Sequence, residues 1–304
     1  MIGVIALAVF SLGRDGAGES DGDRDQNRKL NVVTTFFPLY DFTRAVGGDR
    51  VQIELLFSQT PEVASFSPSD ILRINRADLV VKNGIGLEAV LDDLISSSDN
   101  RDVWVVDTSE GIQLLDSFER IEVEGSEVKE EHGHGLRDPH IWLDPQHAMI
   151  QIGHIRDAFV TLDPAHADEY AARAQNLLGE LVFLDQEIAN AAAQFRKKDF
   201  IAFHSAFQYF AKRYGLNQAA VIEEFPGKDP SPGYLAGVAR IVGELGIVVI
   251  FVEPQFSPKV AEVIARDLGL QVRVLDPIET GDPLRDSYIS LMRKNLDVLT
   301  EAMR

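Results

Sequence analysis

Cysteine is absent from the whole 304-residue sequence. Disulfide bonds and thiolate metal sites are therefore excluded, and we expect no lipid anchor on an N-terminal cysteine. Any bound metal ion must be held by nitrogen and oxygen ligands. Positive charge is also scarce, since 29 Lys and Arg residues stand against 48 Asp and Glu residues and give a formal net charge of -19. Such an acidic surface repels a phosphate backbone, so we expect no nucleic-acid partner.

Long hydrophobic runs are missing as well. The apolar run from Ile2 to Gly13 is too short for a confident membrane span, but it is typical of the hydrophobic region of an export signal, although no basic segment precedes it. Residues 14–29 are hydrophilic and lack apolar periodicity, which predicts a disordered tether. We therefore expect an extracytoplasmic protein, in the periplasm or at the cell surface, with the N-terminal segment either cleaved or kept as a membrane anchor.

Strands and helices alternate from Leu30 onward. Runs such as VQIELLF and DLVVKNG are typical of strands, whereas SPSDILRINRA is an amphipathic helix with Ser69 or Asp70 near its N-cap. A polar stretch at 122–137 interrupts this pattern, and a long helical pattern rich in Ala, Leu, Glu and Gln then runs from Pro164 to Phe195. A second alternating series begins at DFIAFH. This order predicts an α/β fold with mostly parallel sheets in two lobes.

The same pattern divides the chain into four parts. We expect a ligand crevice between the lobes, at the carboxyl ends of the strands. The predicted parts are a signal or anchor segment with its tether at 1–29, an N-terminal lobe at 30–160, a linking helix at 161–197 and a C-terminal lobe at 198–304.

Three residues stand at positions where a ligand could bind. His140 lies between Pro139 and an apolar run, so a buried ring there needs a partner, which could be Asp144 or a metal ion. His204 ends a predicted strand and opens a helix, where it could face either a ligand or solvent. Asp276 also ends a predicted strand, where it could bind a ligand or cap a turn.

Other candidates are less specific. The HGH tract formed by His132 and His134 attracts metal ions by composition, but a solvated loop would carry it equally well. Glu253 follows a predicted strand and could orient a ligating histidine, or it could be a surface carboxylate. Arg137 and Asp144 are similar candidates.

Several segments, taken in order, resemble the metal-binding solute-binding proteins of zinc- and manganese-type ABC importers. The resemblance extends from Leu30 to Arg304 and implies one metal ion held between two lobes that a long rigid helix joins. By resemblance, His140, His204 and Asp276 are three of the four ligands. The segments that carry the resemblance are VVTTFFPLYDF, ADLVVKNGIGLE, DPHIWLDP, FHSAFQYFAKRYGL, IFVEPQFSPKVAEVIARDLG, VLDP and DSYISLMRKNL.

The first ligand departs from the family pattern. Where the family has a Pro-His pair before a Pro-Ser-Asp segment, this chain has Pro61 and Glu62. Alignment without a gap from Asp70 puts Glu62 at the histidine position, whereas an alignment anchored on Phe66 puts Ala64 there and needs a deletion. A carboxylate can replace an imidazole as ligand, so the predicted site is Glu62, His140, His204 and Asp276.

The expected function is capture of a divalent transition metal and its delivery to the membrane permease of an ABC importer, by a monomer that is not an enzyme. Two carboxylates favour a harder metal such as manganese, but the HGH tract is typical of zinc-binding members, so zinc is the first choice and manganese the alternative. A metal-dependent hydrolase could use the same site, although the HExxH and GxSxG motifs are absent. A surface adhesin is a third possibility.

Overall fold

Two four-stranded sheets and nine helices make up the part of the chain that the computed structural model describes, residues 28–118, 137–223, 230–255 and 259–304. The predicted export segment, nearly all of the tether and the HGH tract lie outside these residues. No helix within the described ranges is long and apolar enough to cross a membrane.

The first half alternates strands with helices, as the sequence indicates. Its elements are β1 (Leu30–Thr34), α1 (Phe37–Gly47), β2 (Val51–Leu55), α2 (Pro68–Arg76), β3 (Leu79–Lys82), α3 (Leu91–Ser97), β4 (Trp104–Asp107), α4 (Pro145–Leu162) and the long helix α5 (Ala167–Ala192).

The second half repeats the alternation. Its elements are β5 (Asp199–Ala202), α6 (Gln208–Tyr214), β6 (Asn217–Val221), α7 (Pro232–Leu245), β7 (Val249–Val252), α8 (Lys259–Leu268), β8 (Gln271–Val274) and α9 (Tyr288–Met303).

Both sheets are parallel and have the same strand order. The first runs β2-β1-β3-β4 and the second β6-β5-β7-β8, and every named strand pair is parallel. In each sheet the chain passes to one side of its first strand and then to the other, so the switch point lies between the two central strands, β1 and β3 or β5 and β7. A crevice is expected at the carboxyl ends of these two strands. The predicted α/β class with parallel sheets is confirmed, while the exact lobe boundaries at residues 160 and 197 stay a prediction.

Local capping explains where two of the helices begin. Ser67 is the N-cap of α2, because its backbone N–H donates to Asp70 Oδ2 at 2.7 Å in a capping box. The sequence had placed that cap two or three residues later. Asp144 caps α4 by accepting from the backbone N–H of Gln146 at 2.8 Å, with Pro145 in the first turn.

The largest of four hydrophobic clusters in the described residues runs from one sheet to the other. It includes side chains of β1, α1, α4, α5, β5, α6 and α9. Helix α5 packs one face against α1, α4, α6 and α9 and leaves its other face exposed, so it joins the two halves. The last helix therefore returns to the first half of the chain, and the segment that leads into it is brought with it.

Several contacts hold that returning segment, which spans residues 276–288, against the first half. The Trp142 indole N–H donates to the carbonyl of Pro277 at 2.7 Å, and the Tyr288 hydroxyl donates to the carbonyl of Trp142 at 2.7 Å. The Tyr288 backbone N–H donates to Asp41 Oδ2 at 2.8 Å. Gly281 lies against Phe37, where a Cβ would stand 2.7 Å from the ring. The segment is thus packed on elements of the first half.

Candidate metal centre

Four side chains converge at the crevice from four separate segments. Glu62 lies in a short 3-10 turn after β2, and His140 directly precedes another such turn at Ile141–Leu143. His204 follows β5 by two residues, at the carboxyl end of a central strand. Glu279 lies on the segment between β8 and α9. One ligand atom of each residue lies within 4.8 Å of the ligand atoms of the other three.

The distances between these atoms suit one small cation. His140 Nε2 lies 3.3 Å from Glu62 Oε1 and 3.2 Å from His204 Nε2, and Glu279 Oε1 lies 3.8 Å from both imidazoles. Four donors arranged tetrahedrally about 2.0–2.1 Å from a zinc ion stand roughly 3.3–3.4 Å apart. The cluster therefore needs only small adjustments to enclose such an ion.

Carboxylates behind the rings orient both imidazoles. His140 Nδ1 lies 2.7 Å from Asp138 Oδ1, and His204 Nδ1 contacts Glu253 Oε1. A carboxylate accepts the Nδ1 proton, so each ring turns its Nε2 atom toward the centre of the cluster. Asp138 is itself held by Gln208, whose Nε2 donates to Oδ2 at 2.8 Å.

The carboxylates at the centre are buried but poorly satisfied. The side chains of Glu62 and Glu279 are 5% and 0% exposed. Within the described part of the chain, neither oxygen of Glu62 nor Oε1 of Glu279 meets an aligned hydrogen-bond donor. Buried carboxylate oxygens are costly without a donor or a cation, so this cluster has the properties of a cation site.

The pKa values of these groups in the absence of a cation reflect the burial of several charged side chains at one place. Burial and the negative charge of Glu62 raise the pKa of Glu279 to about 8. Burial lowers the pKa of His204, but the Glu253 carboxylate outweighs it and raises that pKa to about 9. Burial also opposes ionisation of Glu62, yet the contact with His140 outweighs it and lowers the pKa of Glu62. In the metal-free site, protons on Glu279 and His204 therefore offset part of the negative charge that a cation would neutralise.

The structure brings together three of the four residues predicted from the sequence, Glu62, His140 and His204. The fourth member of the cluster is Glu279, and Asp276 is outside it. The carboxylate of Asp276 is engaged in its own loop, where Oδ1 accepts from the backbone N–H of Ile278 at 2.7 Å. The structure therefore places Glu279, and not Asp276, beside the other three residues of the cluster.

A tight turn explains why Glu279, and not Asp276, lies in the cluster. Ile278 has a left-handed backbone with φ of 62°, which is strained for a β-branched residue. Asp276 stabilises this turn from one side, and Asn295 on α9 holds the backbone of Asp276 through bonds of 2.9 and 2.6 Å. The turn reverses the chain after the strand and presents Glu279 to the crevice. An acidic residue three positions beyond Asp276 was the available signal in the sequence.

The other candidates have different roles. Glu253 contacts the His204 ring and orients it, which is one of the two roles that the sequence allowed for this residue. Asp144 does not contact His140; it caps α4 and lies 3.3 Å from Arg213. Arg137 pairs with Asp116 at 2.7 Å. His140 is oriented by Asp138, which lies two residues before it and was not predicted from the sequence to have this role.

Comparison with known proteins identifies the family. A family model described as "ZnuA: Zinc-uptake complex component A periplasmic" matches residues 32–302. The chain belongs to this family. Membership confirms the resemblance to solute-binding proteins of zinc importers that the sequence motifs indicated.

Individual members are similar over nearly the whole chain. The high-affinity zinc uptake system protein ZnuA of Bacillus subtilis is 33% identical over 306 residues, which cover 99% of this chain and 94% of that protein. The zinc-binding lipoprotein AdcA of Streptococcus pneumoniae is 31% identical over 97% of this chain, but the chain spans only 58% of the length of AdcA. A mutant structure of the laminin-binding adhesin Lmb of Streptococcus agalactiae has a TM-score of 0.78 at 32% identity and covers 90% of this chain and 100% of its own.

Proposed function

We propose that this chain captures one divalent transition metal ion with Glu62, His140, His204 and Glu279. Zinc is the first choice and manganese the alternative. The observation that carries the proposal is the buried tetrad of ligand atoms within 4.8 Å of one another, together with carboxylate oxygens that no aligned donor within the described residues satisfies. Two imidazoles and two carboxylates are a ligand set that zinc accepts. Membership of a zinc-uptake family supports the same choice.

We further propose that the ion is cargo and that the chain hands it to the membrane permease of an ABC importer. Four protein donors complete a tetrahedral shell, which is typical of sites that hold zinc, whereas catalytic zinc keeps one position for water. The chain therefore acts without transforming a substrate. It works outside the cytoplasm as a monomer, and its net charge of -19 makes nucleic acid an unsuitable partner.

Metal titration tests the capture step. The purified chain is stripped with a chelator and titrated with zinc and with manganese in a calorimeter, and its melting temperature is measured with and without each ion. We expect one ion per chain and a higher melting temperature, since free zinc at roughly 100 times Kd stabilises by about 2.7 kcal/mol. No bound ion and no thermal shift would overturn the proposal.

Growth on limiting zinc tests the delivery step. A strain that lacks the gene should recover when the parent chain is supplied and should not recover with a His140→Ala, His204→Ala double variant, because that variant loses both imidazole donors. Equal recovery with both chains would contradict delivery through this site. If the strain that lacks the gene takes up zinc normally but no longer attaches to laminin, the adhesin alternative is favoured.

A further inference from the structure

Gln255 links two carboxylates of the metal centre from the edge of the crevice. It lies two residues beyond Glu253, after β7, and its side chain is exposed to solvent. Its Nε2 atom lies 3.3 Å from Glu253 Oε2 and 3.4 Å from Glu279 Oε2. One carboxamide therefore donates to the residue that orients His204 and also to a proposed ligand.

The bond to Glu279 determines which of its oxygens faces the centre. Gln255 takes Oε2, and the other oxygen, Oε1, lies 3.8 Å from each imidazole Nε2. Oε1 is fully buried and meets no aligned donor within the described residues. The carboxyl group is thus turned so that a single oxygen is presented to a cation.

The contrast with Glu62 makes this arrangement specific. Both oxygens of Glu62 are buried without an aligned donor in the described part of the chain, and its contact is with the His140 ring, whose Nε2 lies 3.3 Å from Oε1. The two carboxylates of the centre are therefore unequal, and the difference between them is the carboxamide of Gln255.

We propose that Gln255 is a positioning residue that favours zinc over manganese by restricting Glu279 to one donor oxygen. This inference rests on the proposed function of the site. Zinc is satisfied by four donors in a tetrahedron, whereas manganese suits shells with more oxygen ligands. A Glu279 carboxylate free to rotate would offer its second oxygen, and that oxygen benefits manganese more than zinc.

Two substitutions of Gln255 test the inference in the full chain. Gln255→Met keeps the length of the side chain and removes the donor, and Gln255→Glu keeps its shape and replaces the donor with acceptors. The matched control is Gln186→Met on the exposed face of α5, where the parent carboxamide donates to Asn190 at 2.9 Å. The dissociation constants for zinc alone and for manganese alone are measured for each protein, with the melting temperature of the metal-free form.

We expect the ratio of zinc affinity to manganese affinity to fall roughly tenfold in Gln255→Met, because a hydrogen bond to a charged carboxylate is lost, and further in Gln255→Glu. The metal-free melting temperature should stay close to the parent value because the side chain is exposed. The control should keep the parent ratio.

If the role of Gln255 were purely structural, its loss would weaken the binding of zinc and of manganese equally. An unchanged ratio of the two affinities in both Gln255 variants would therefore overturn the inference and leave the proposed function intact. If the parent chain binds neither ion, the proposed function and the inference fall together.

Discussion

At the scale of single residues, the exchange of Asp276 for Glu279 shows how a short segment divides two acidic roles. Asp276 stabilises the backbone of a strained turn through Ile278, and Glu279 offers a buried oxygen to the centre. Both carboxylates have a raised pKa, that of Asp276 mainly by burial, to about 6. Burial and a shifted pKa therefore do not distinguish the member of the cluster from the residue that holds the turn, and only their positions do.

Matched amide variants separate the two roles experimentally. Glu279→Gln should weaken zinc binding roughly tenfold or more, because the site loses one of its negative charges. Asp276→Asn keeps an oxygen at Oδ1 for the Ile278 N–H, so its zinc affinity should stay within about twofold of the parent value. Calorimetric titration of both variants measures the difference. A larger loss in Asp276→Asn would show that the metal is held by the residue first predicted from the sequence.

Three members of the cluster could be predicted from the sequence because each follows or precedes a recognisable motif. Glu62 follows from gapless counting to Asp70, and His140 and His204 lie in segments typical of the family. Glu279 could not be derived in the same way, since its approach depends on a left-handed Ile278 that no periodicity predicts. The bonds of Asp276 within its own turn were equally invisible.

At the scale of elements, the turn after β3 is built around a buried carboxyl group. Glu88 accepts from the Thr35 hydroxyl at 2.7 Å and from the backbone N–H groups of Asn83 and Gly84 at 2.7 and 3.1 Å. The Asn83 side chain donates to the carbonyl of Pro139 at 2.9 Å, next to His140. The NGIGLE segment thus supports the loop that carries one of the imidazoles.

The stability of this turn should depend on pH through Glu88. Burial raises its pKa from the ordinary 4.5 to about 7, so the folded chain binds this proton more tightly than the unfolded chain. Its contribution to stability is therefore present at low pH and is lost as the pH rises to 7. In Glu88→Gln that titration is absent, so the variant should gain up to about 3 kcal/mol relative to the parent between about pH 4.5 and pH 8.

Urea unfolding of the metal-free parent and the Glu88→Gln variant at both pH values measures this shift. The amide accepts fewer hydrogen bonds, which adds an offset that does not change with pH. A difference in unfolding free energy that is the same at both pH values would contradict the titration of Glu88.

The alternation of strands and helices could be predicted because buried parallel strands are short apolar runs between amphipathic segments. Helix α4 was not predicted as an element, since its apolar residues are spread over several faces where it packs against α1 and α5. The long helix is shorter than its helical pattern, because residues 164–166 form a separate 3-10 turn. Tertiary packing decided the first feature, and a local turn that begins at Pro164 decided the second.

At the scale of the whole molecule, a hydrophobic cluster that spans both halves and several hydrogen bonds join the two sheets into a single unit. Tyr209 on α6 donates to the carbonyl of Asp138 at 2.9 Å, and Tyr288 joins Trp142 to α9. The proposed ligands His140 and His204 thus lie on halves that are coupled through buried contacts on more than one side of the crevice.

Unfolding should therefore be a single transition in which both halves take part. Tyr288→Phe leaves the buried carbonyl of Trp142 without its hydroxyl donor and should lower the free energy of unfolding by about 1–2 kcal/mol for the molecule as a whole. Both tryptophans, Trp104 and Trp142, belong to the first half, whereas far-ultraviolet circular dichroism reports on all helices. The two signals should shift together. Separate fluorescence and dichroism midpoints would show that the halves unfold independently.

The contact of Gly281 with the Phe37 ring limits which residues can replace either of them during evolution. A side chain at position 281 would collide with the ring and push the segment bearing Glu279 away from α1. Glycine is required here by lack of space, not by an unusual backbone angle. The two positions lie near opposite ends of the chain, yet a larger residue at 281 is tolerated only with a smaller one at 37. In an alignment of relatives, the pair should co-vary.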